Sequence, residues 1–178
     1  GGSWDPLIEF FDGNGKLRGK KGVLYEGGIR VPLIARWTGT IQPGRVTDHA
    51  TYFPDVLPTL ADIAGVANAK LPKHDGISLV PLLRGEGRQP EHDFMYWEIG
   101  RGRGLSQAVR HGKWKAYRKN QQSSWELYDL SSDESETTDV AGDHPRMVRE
   151  VEDFVARTRT EPRQMPPGEP EGWQDFKR

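Results

Sequence analysis

Gly19-Lys20-Lys21-Gly22-Val23-Leu24-Tyr25-Glu26-Gly27-Gly28-Ile29-Arg30-Val31-Pro32 is the stretch that decides how this chain is read. Two lysines sit between glycines, and a Gly-Gly pair then leads into Val31-Pro32-Leu33-Ile34-Ala35-Arg36-Trp37, which is apolar on both faces. Such a run predicts a strand covered on both sides, as in the parallel sheets of α/β layers. Pro32 suits only its start or a sheet edge. Loops at sheet ends are where α/β proteins bind ligands. A lysine there suits a tetrahedral anion, because its ammonium is a compact charge with three donors. A solvated basic turn is the plain alternative.

Upstream, Asp12-Gly13-Asn14-Gly15 is a strong turn signal. Downstream, Asp55 to Ala64 predicts a helix with Asp55 and Pro58 in its first turn and Gly65 ending it. Val56, Leu57, Leu60, Ala61, Ile63 and Ala64 form its apolar stripe. Ser78 to Arg84 predicts a short second helix, closed by Gly85. Phe94 to Ile99, Gln107 to Tyr117 and Trp125 to Leu130 are aromatic and β-branched, and predict an antiparallel meander. A last helix is expected from Asp143 as cap and Pro145 in the first turn, with Met147, Val148, Val151, Phe154 and Val155 at helical spacing. From Glu161 the Pro-, Gly- and charge-rich tail is expected to be disordered. No internal repeat occurs.

Composition narrows the function classes. The 178 residues fit about one domain. The net charge of −1 argues against a general nucleic-acid or membrane-surface binder, which relies on a basic excess. No apolar run approaches the ~18–20 residues of a membrane span. Only 34% of residues are hydrophobic, and 21 glycines and 13 prolines make the chain rich in loops. With no cysteine, there are no disulfides, thiolate metal sites or cysteine nucleophile in these residues.

The block Lys21-Gly22-Val23-Leu24-Tyr25-Glu26-Gly27-Gly28-Ile29-Arg30-Val31-Pro32 resembles the C-terminal half of the sulfatase family. The likeness runs on in order through Trp37-Thr38-Gly39, Asp55-Val56-Leu57-Pro58-Thr59-Leu60, Asp75-Gly76-Ile77-Ser78-Leu79 and Tyr96-Trp97-Glu98. It continues through Gln107-Ala108-Val109-Arg110 and Trp114-Lys115, and closes with Glu126-Leu127-Tyr128-Asp129-Leu130. The resemblance implies an α/β fold: the C-terminal part of an alkaline-phosphatase-like sulfatase. It would comprise the end of the main sheet, then a small antiparallel sheet packed with a long C-terminal helix. By this division residues 1–66 are the tail of the catalytic α/β domain, 67–160 the C-terminal subdomain and 161–178 the tail. In family members a formylglycine, made from the Cys or Ser of a Cys/Ser-x-Pro-x-Arg motif, attacks sulfur. Aspartates and an Asn hold a divalent cation, usually calcium, while lysines and histidines offset the developing charge. The lysine four residues before the family's Tyr-Glu-Gly-Gly is one of these groups, and here it is Lys21; Lys20 is off register.

The departures define further expectations. No Cys/Ser-x-Pro-x-Arg motif occurs, and the family's metal-ligating Asp-Asn-Gly is absent, so neither the calcium site nor the formylglycine is encoded here. The chain is expected to be a C-terminal portion, inactive alone, whose partner is the missing N-terminal catalytic portion. The implied substrate is a sulfate ester, including sulfated carbohydrates. By resemblance the compartment is periplasmic, secreted or lysosomal. His74 and His92 are weaker substrate-binding candidates beside a turn and a surface reading respectively. Arg101 and Arg103, in Gly100-Arg101-Gly102-Arg103-Gly104, could reach an anionic sugar from a flexible hairpin tip. Ser131 to Asp139 reads as a solvated acidic loop. Phosphatases and phosphonate hydrolases of the same superfamily are the near rival. A non-catalytic carbohydrate-binding or structural module is the distant one.

Overall fold

The segments between residues 94 and 130 pair into one antiparallel sheet in the computed structural model, which describes residues 10–101 and 104–160. Its strands are β1 (Met95–Arg101), β2 (Gly104–His111), β3 (Trp114–Arg118) and β4 (Glu126–Asp129), in that order across the sheet. The expected single segment Gln107 to Tyr117 is therefore two strands. Gly112, at φ +55, makes the turn between them, and a tight turn needs only two residues. Trp97 lies opposite Ala108, and Ala108 opposite Tyr117, so these three side chains share one face.

Each face of the sheet carries its own core. On one, Val109, Ala116, Trp125 and Leu127 pack against Val151 and Val155 of helix α4 (Pro145–Thr158). The expected stripe is the buried one: Met147, Val148 and Phe154 complete this cluster. The helix begins differently, because His144 and not Asp143 occupies the cap, with no side-chain capping bond. On the other face, Leu24, Tyr25 and Ile29 cover Ala108 and Tyr117. These residues come from the quoted block, whose Glu26–Ile29 forms a single helical turn, α1.

The remaining helices, α2 (Val56–Ile63) and α3 (Val80–Arg84), lie where the sequence predicts, within one or two residues. Two differences stand out. The apolar stripe of α2 is turned outward: Val56, Leu57, Leu60 and Ile63 are exposed, while Pro58 and Thr59 are buried. Val31 to Trp37 forms no strand and is largely exposed. A strand exists only by pairing with a neighbour, and no described strand lies beside this run. The expected end of a main sheet is thus an unpaired apolar segment among the described residues. Glu161 onward lies outside them.

Candidate functional site

Lys21 sits on a loop that the following Gly-Gly pair holds in place. Gly19 and Gly22 have φ of +85° and +91°, which bends the backbone between them. Gly27 donates its N–H to the Arg18 carbonyl at 2.8 Å, and a Cβ at Gly27 would meet the Arg18 and Gly19 carbonyls at 2.6 Å. At Gly28 a Cβ would fall on the Val23 carbonyl. The loop therefore lies directly on α1, at a separation only glycine permits. Lys21 is exposed on it, and its side chain has no partner among the described residues. Lys20 is already engaged.

The residues after Lys21 tie this loop to the sheet. Glu26 accepts from Lys115 Nζ of β3 at 2.8 Å, and Lys115 also reaches Glu136 Oε1 at 3.2 Å. Glu136 Oε2 accepts the Glu26 backbone N–H at 2.6 Å. Lys115 and Glu136 have fully buried side chains, so this is a closed ionic cluster under the loop. Burial pushes the Glu136 carboxyl up, against the pull of Lys115. Beside it, Arg18 lies over the Tyr25 ring at 3.9 Å and donates to the Tyr128 hydroxyl and the Glu136 carbonyl, each at 2.9 Å. Tyr25 donates to Glu126 Oε2 at 2.7 Å, and burial and that bond raise its phenol pKa. The reading of Ser131 to Asp139 as solvated fails at Glu136. The available signal was Lys115 itself: on a strand it shares the face of Tyr117, so a buried ammonium there demands a carboxylate.

The other candidates lie apart from Lys21. His92 is buried with its Nε2 2.7 Å from Asp55 Oδ1, and Asp55 also accepts the backbone N–H groups of Ile77 and Tyr52. That cluster clamps the start of α2 to two loops. Gly76 belongs to it through close approach and not as a simple turn residue, because a Cβ there would collide with the Pro54 carbonyl. His74 Nε2 lies 2.9 Å from Asn68 Oδ1. The backbone of Arg101 ends β1 and its side chain, like all of Arg103, lies outside the described residues. A cavity of about 510 Å³ lies elsewhere, between the Val31–Ala35 run and α3, with Arg30, His49 and Arg110 on its walls; Lys21 does not line it. No group of three or more His, Cys, Asp or Glu that could hold a metal ion occurs among the described residues. No described helix is long and apolar enough to cross a membrane.

Comparison with known proteins matches residues 18–161 to the family described as N-sulphoglucosamine sulphohydrolase, C-terminal. A sulfatase of Formosa agariphila is 35% identical over 145 residues, covering 74% of this chain and 26% of that protein. Arylsulfatase A of Homo sapiens is 38% identical over 154 residues, covering 72% of this chain and 29% of that protein. The chain thus spans less than a third of the length of these relatives. A solved structure from work on the metabolism of multiple glycosaminoglycans by Bacteroides thetaiotaomicron superposes with a TM-score of 0.65 at 26% identity, covering 85% of this chain and 34% of that one.

Proposed function

The chain belongs to the sulfatase family as a C-terminal portion, and from that premise we propose that it serves sulfate-ester hydrolysis by supplying Lys21 to the sulfate. The observation that carries this reading is the loop geometry. Lys21 is an exposed cation without a side-chain partner among the described residues, on backbone fixed by Gly27 and Gly28 and by the Lys115 cluster beneath it. An unneutralised ammonium carried on a fixed loop can meet charge that develops on an ester oxygen. In the same reading residues 1–66 close the catalytic α/β domain and 67–160 form its C-terminal subdomain. That division is one of chain order alone, because in space Leu24 and Glu26 of the first part pack on the sheet of the second.

Calcium and formylglycine, the family's expected cofactors, do not fit the residues described. No carboxylate cluster of the needed size is present among the described residues, and the chain has neither cysteine nor a Ser-x-Pro-x-Arg run. Nucleophile and metal would come from the remainder of a complete enzyme, and this chain alone is proposed to be inactive. A sulfated carbohydrate is the proposed substrate class, on the strength of the glycosaminoglycan setting of the structural neighbour.

Paired substitutions in a complete enzyme carrying this segment test the reading. Lys21→Ala is expected to lower kcat/KM about 100- to 1000-fold, the ~2.7–4 kcal/mol typical of a transition-state donor. Lys20→Ala is expected to change it by less than about 1 kcal/mol. Tm should hold in both. Equal losses, or the larger loss at Lys20, would place the sulfate-contacting cation wrongly.

A further inference from the structure

The Asp12-Gly13-Asn14-Gly15 turn lies just ahead of the Lys21 loop, and the Asn14 side chain joins the two. The Gly15 N–H closes the turn by donating to the Asp12 carbonyl at 2.9 Å. Asn14 then holds the segment that follows in two places. Its carbonyl accepts the Leu17 N–H at 3.0 Å, and its side-chain Nδ2 donates to the Gly19 carbonyl at 2.7 Å. The Gly19 oxygen also lies against α1, where a Cβ on Gly27 would come within 2.6 Å of it. Its direction is therefore set from both sides, by a donor and by a backbone in contact.

Gly19 is the root from which Lys21 is presented. The Lys20 carbonyl accepts the Val23 N–H at 3.1 Å, so Lys21 and Gly22 form the two corners of a turn. Gly22, at φ +91°, supplies the left-handed second corner of the type II pattern, and Lys21 is exposed at the first. The Lys20 carbonyl rests on α1 as well, 2.7 Å from where a Gly28 Cβ would lie. The peptide that links Gly19 to Lys20 thus sets how this turn stands on α1. We propose that Asn14 is a positioning residue for Lys21, its side-chain amide fixing the Gly19 carbonyl and with it the direction in which the turn offers the ammonium. Its role rests on Lys21 being the sulfate-contacting cation proposed above.

Two variants separate the lost donor from an added charge. Asn14→Asp keeps a turn-forming side chain but, once ionised, can only accept, so it sets a second acceptor against the Gly19 carbonyl. Asn14→Ala removes the donor and adds no charge. In a complete enzyme carrying this segment, each is expected to lower kcat about 5- to 10-fold, because a small displacement of a charge-stabilising group is felt in the transition state. KM and Tm should stay near those of the parent. In a Lys21→Ala background, either change should cost less than about twofold more, since the group it positions is gone. Losses that multiply overturn the proposal, as does a loss with Asn14→Asp and none with Asn14→Ala. A kcat that falls only in step with Tm overturns it too. Full activity in both Asn14 variants beside an impaired Lys21→Ala overturns it while leaving the Lys21 reading standing. A fully active Lys21→Ala removes that reading, and the role of Asn14 falls with it.

Discussion

Lys115 shows how a single residue sets the geometry of the quoted block. Its ammonium is fully buried between Glu26 and Glu136, so it is the buried ionic link between the sheet and the block that carries Lys21. Two carboxylates facing one ammonium leave the cluster net negative, and burial makes any unpaired charge costly. Lys115→Met is therefore expected to destabilise the chain by about 3–5 kcal/mol, because it strands both carboxylates in a dry site. Adding Glu26→Gln and Glu136→Gln should recover part of that loss by removing the stranded charges. Chemical denaturation across the single and triple variants checks this, and a triple variant no better than Lys115→Met alone would contradict it. None of this was legible in the local sequence. Glu136 stands in a run of polar residues whose composition says solvent, and only the distant Lys115 makes its burial necessary. His92 and Asp55 repeat the lesson, since 37 residues separate them in the chain.

Elements whose signal is local were legible, and those that depend on a distant partner were not. Helix α4 carries its apolar stripe within 14 residues, and the sheet buries that stripe as the spacing predicts. Strands β1, β3 and β4 are marked by aromatic residues, while the β2–β3 turn was missed because Gly112 alone signals it within an otherwise strand-like run. The Val31 to Trp37 run has strand composition without a described neighbour, so composition could not become a ladder. Turn α1 reverses the case. Its two glycines disfavour a helix, yet the backbone of residues 17–23 crosses so closely that no side chain fits. Gly28→Ala is thus expected to push the loop off α1, because its Cβ would meet the Val23 carbonyl and backbone cannot yield as a flexible side chain does. Overpacking of this kind usually destabilises by about 1–3 kcal/mol. In a complete enzyme it should also lower kcat/KM, since Lys21 would move with the loop. Gly13→Ala, where a Cβ meets nothing, is the control and should change neither.

Across the whole molecule, burial is uneven in a way that predicts behaviour in solution. The segment from Val31 to Val66 leaves Val31 66%, Leu33 62%, Ile34 91%, Val46 88%, Phe53 88% and Leu60 60% exposed. The sheet, by contrast, is packed on both faces, on one of them by α4. Scattered apolar residues on a surface are ordinary, but a run of this density marks a surface that meets something else. In the function proposed above, that partner is the rest of the catalytic α/β domain. Each such side chain left in water forgoes roughly 1.5–3 kcal/mol of burial. A domain's whole stability is only ~5–15 kcal/mol. The 178-residue chain on its own is therefore expected to be marginally stable and to self-associate through this segment, with an apparent mass that rises with concentration. Sedimentation at several concentrations, with thermal unfolding followed in parallel, measures both. Replacing Leu33 and Ile34 by Ser should reduce association while leaving the sheet's unfolding transition in place, because neither residue belongs to its cores. A monomer at every concentration with a sharp, reversible transition at high temperature would show that these side chains need no cover.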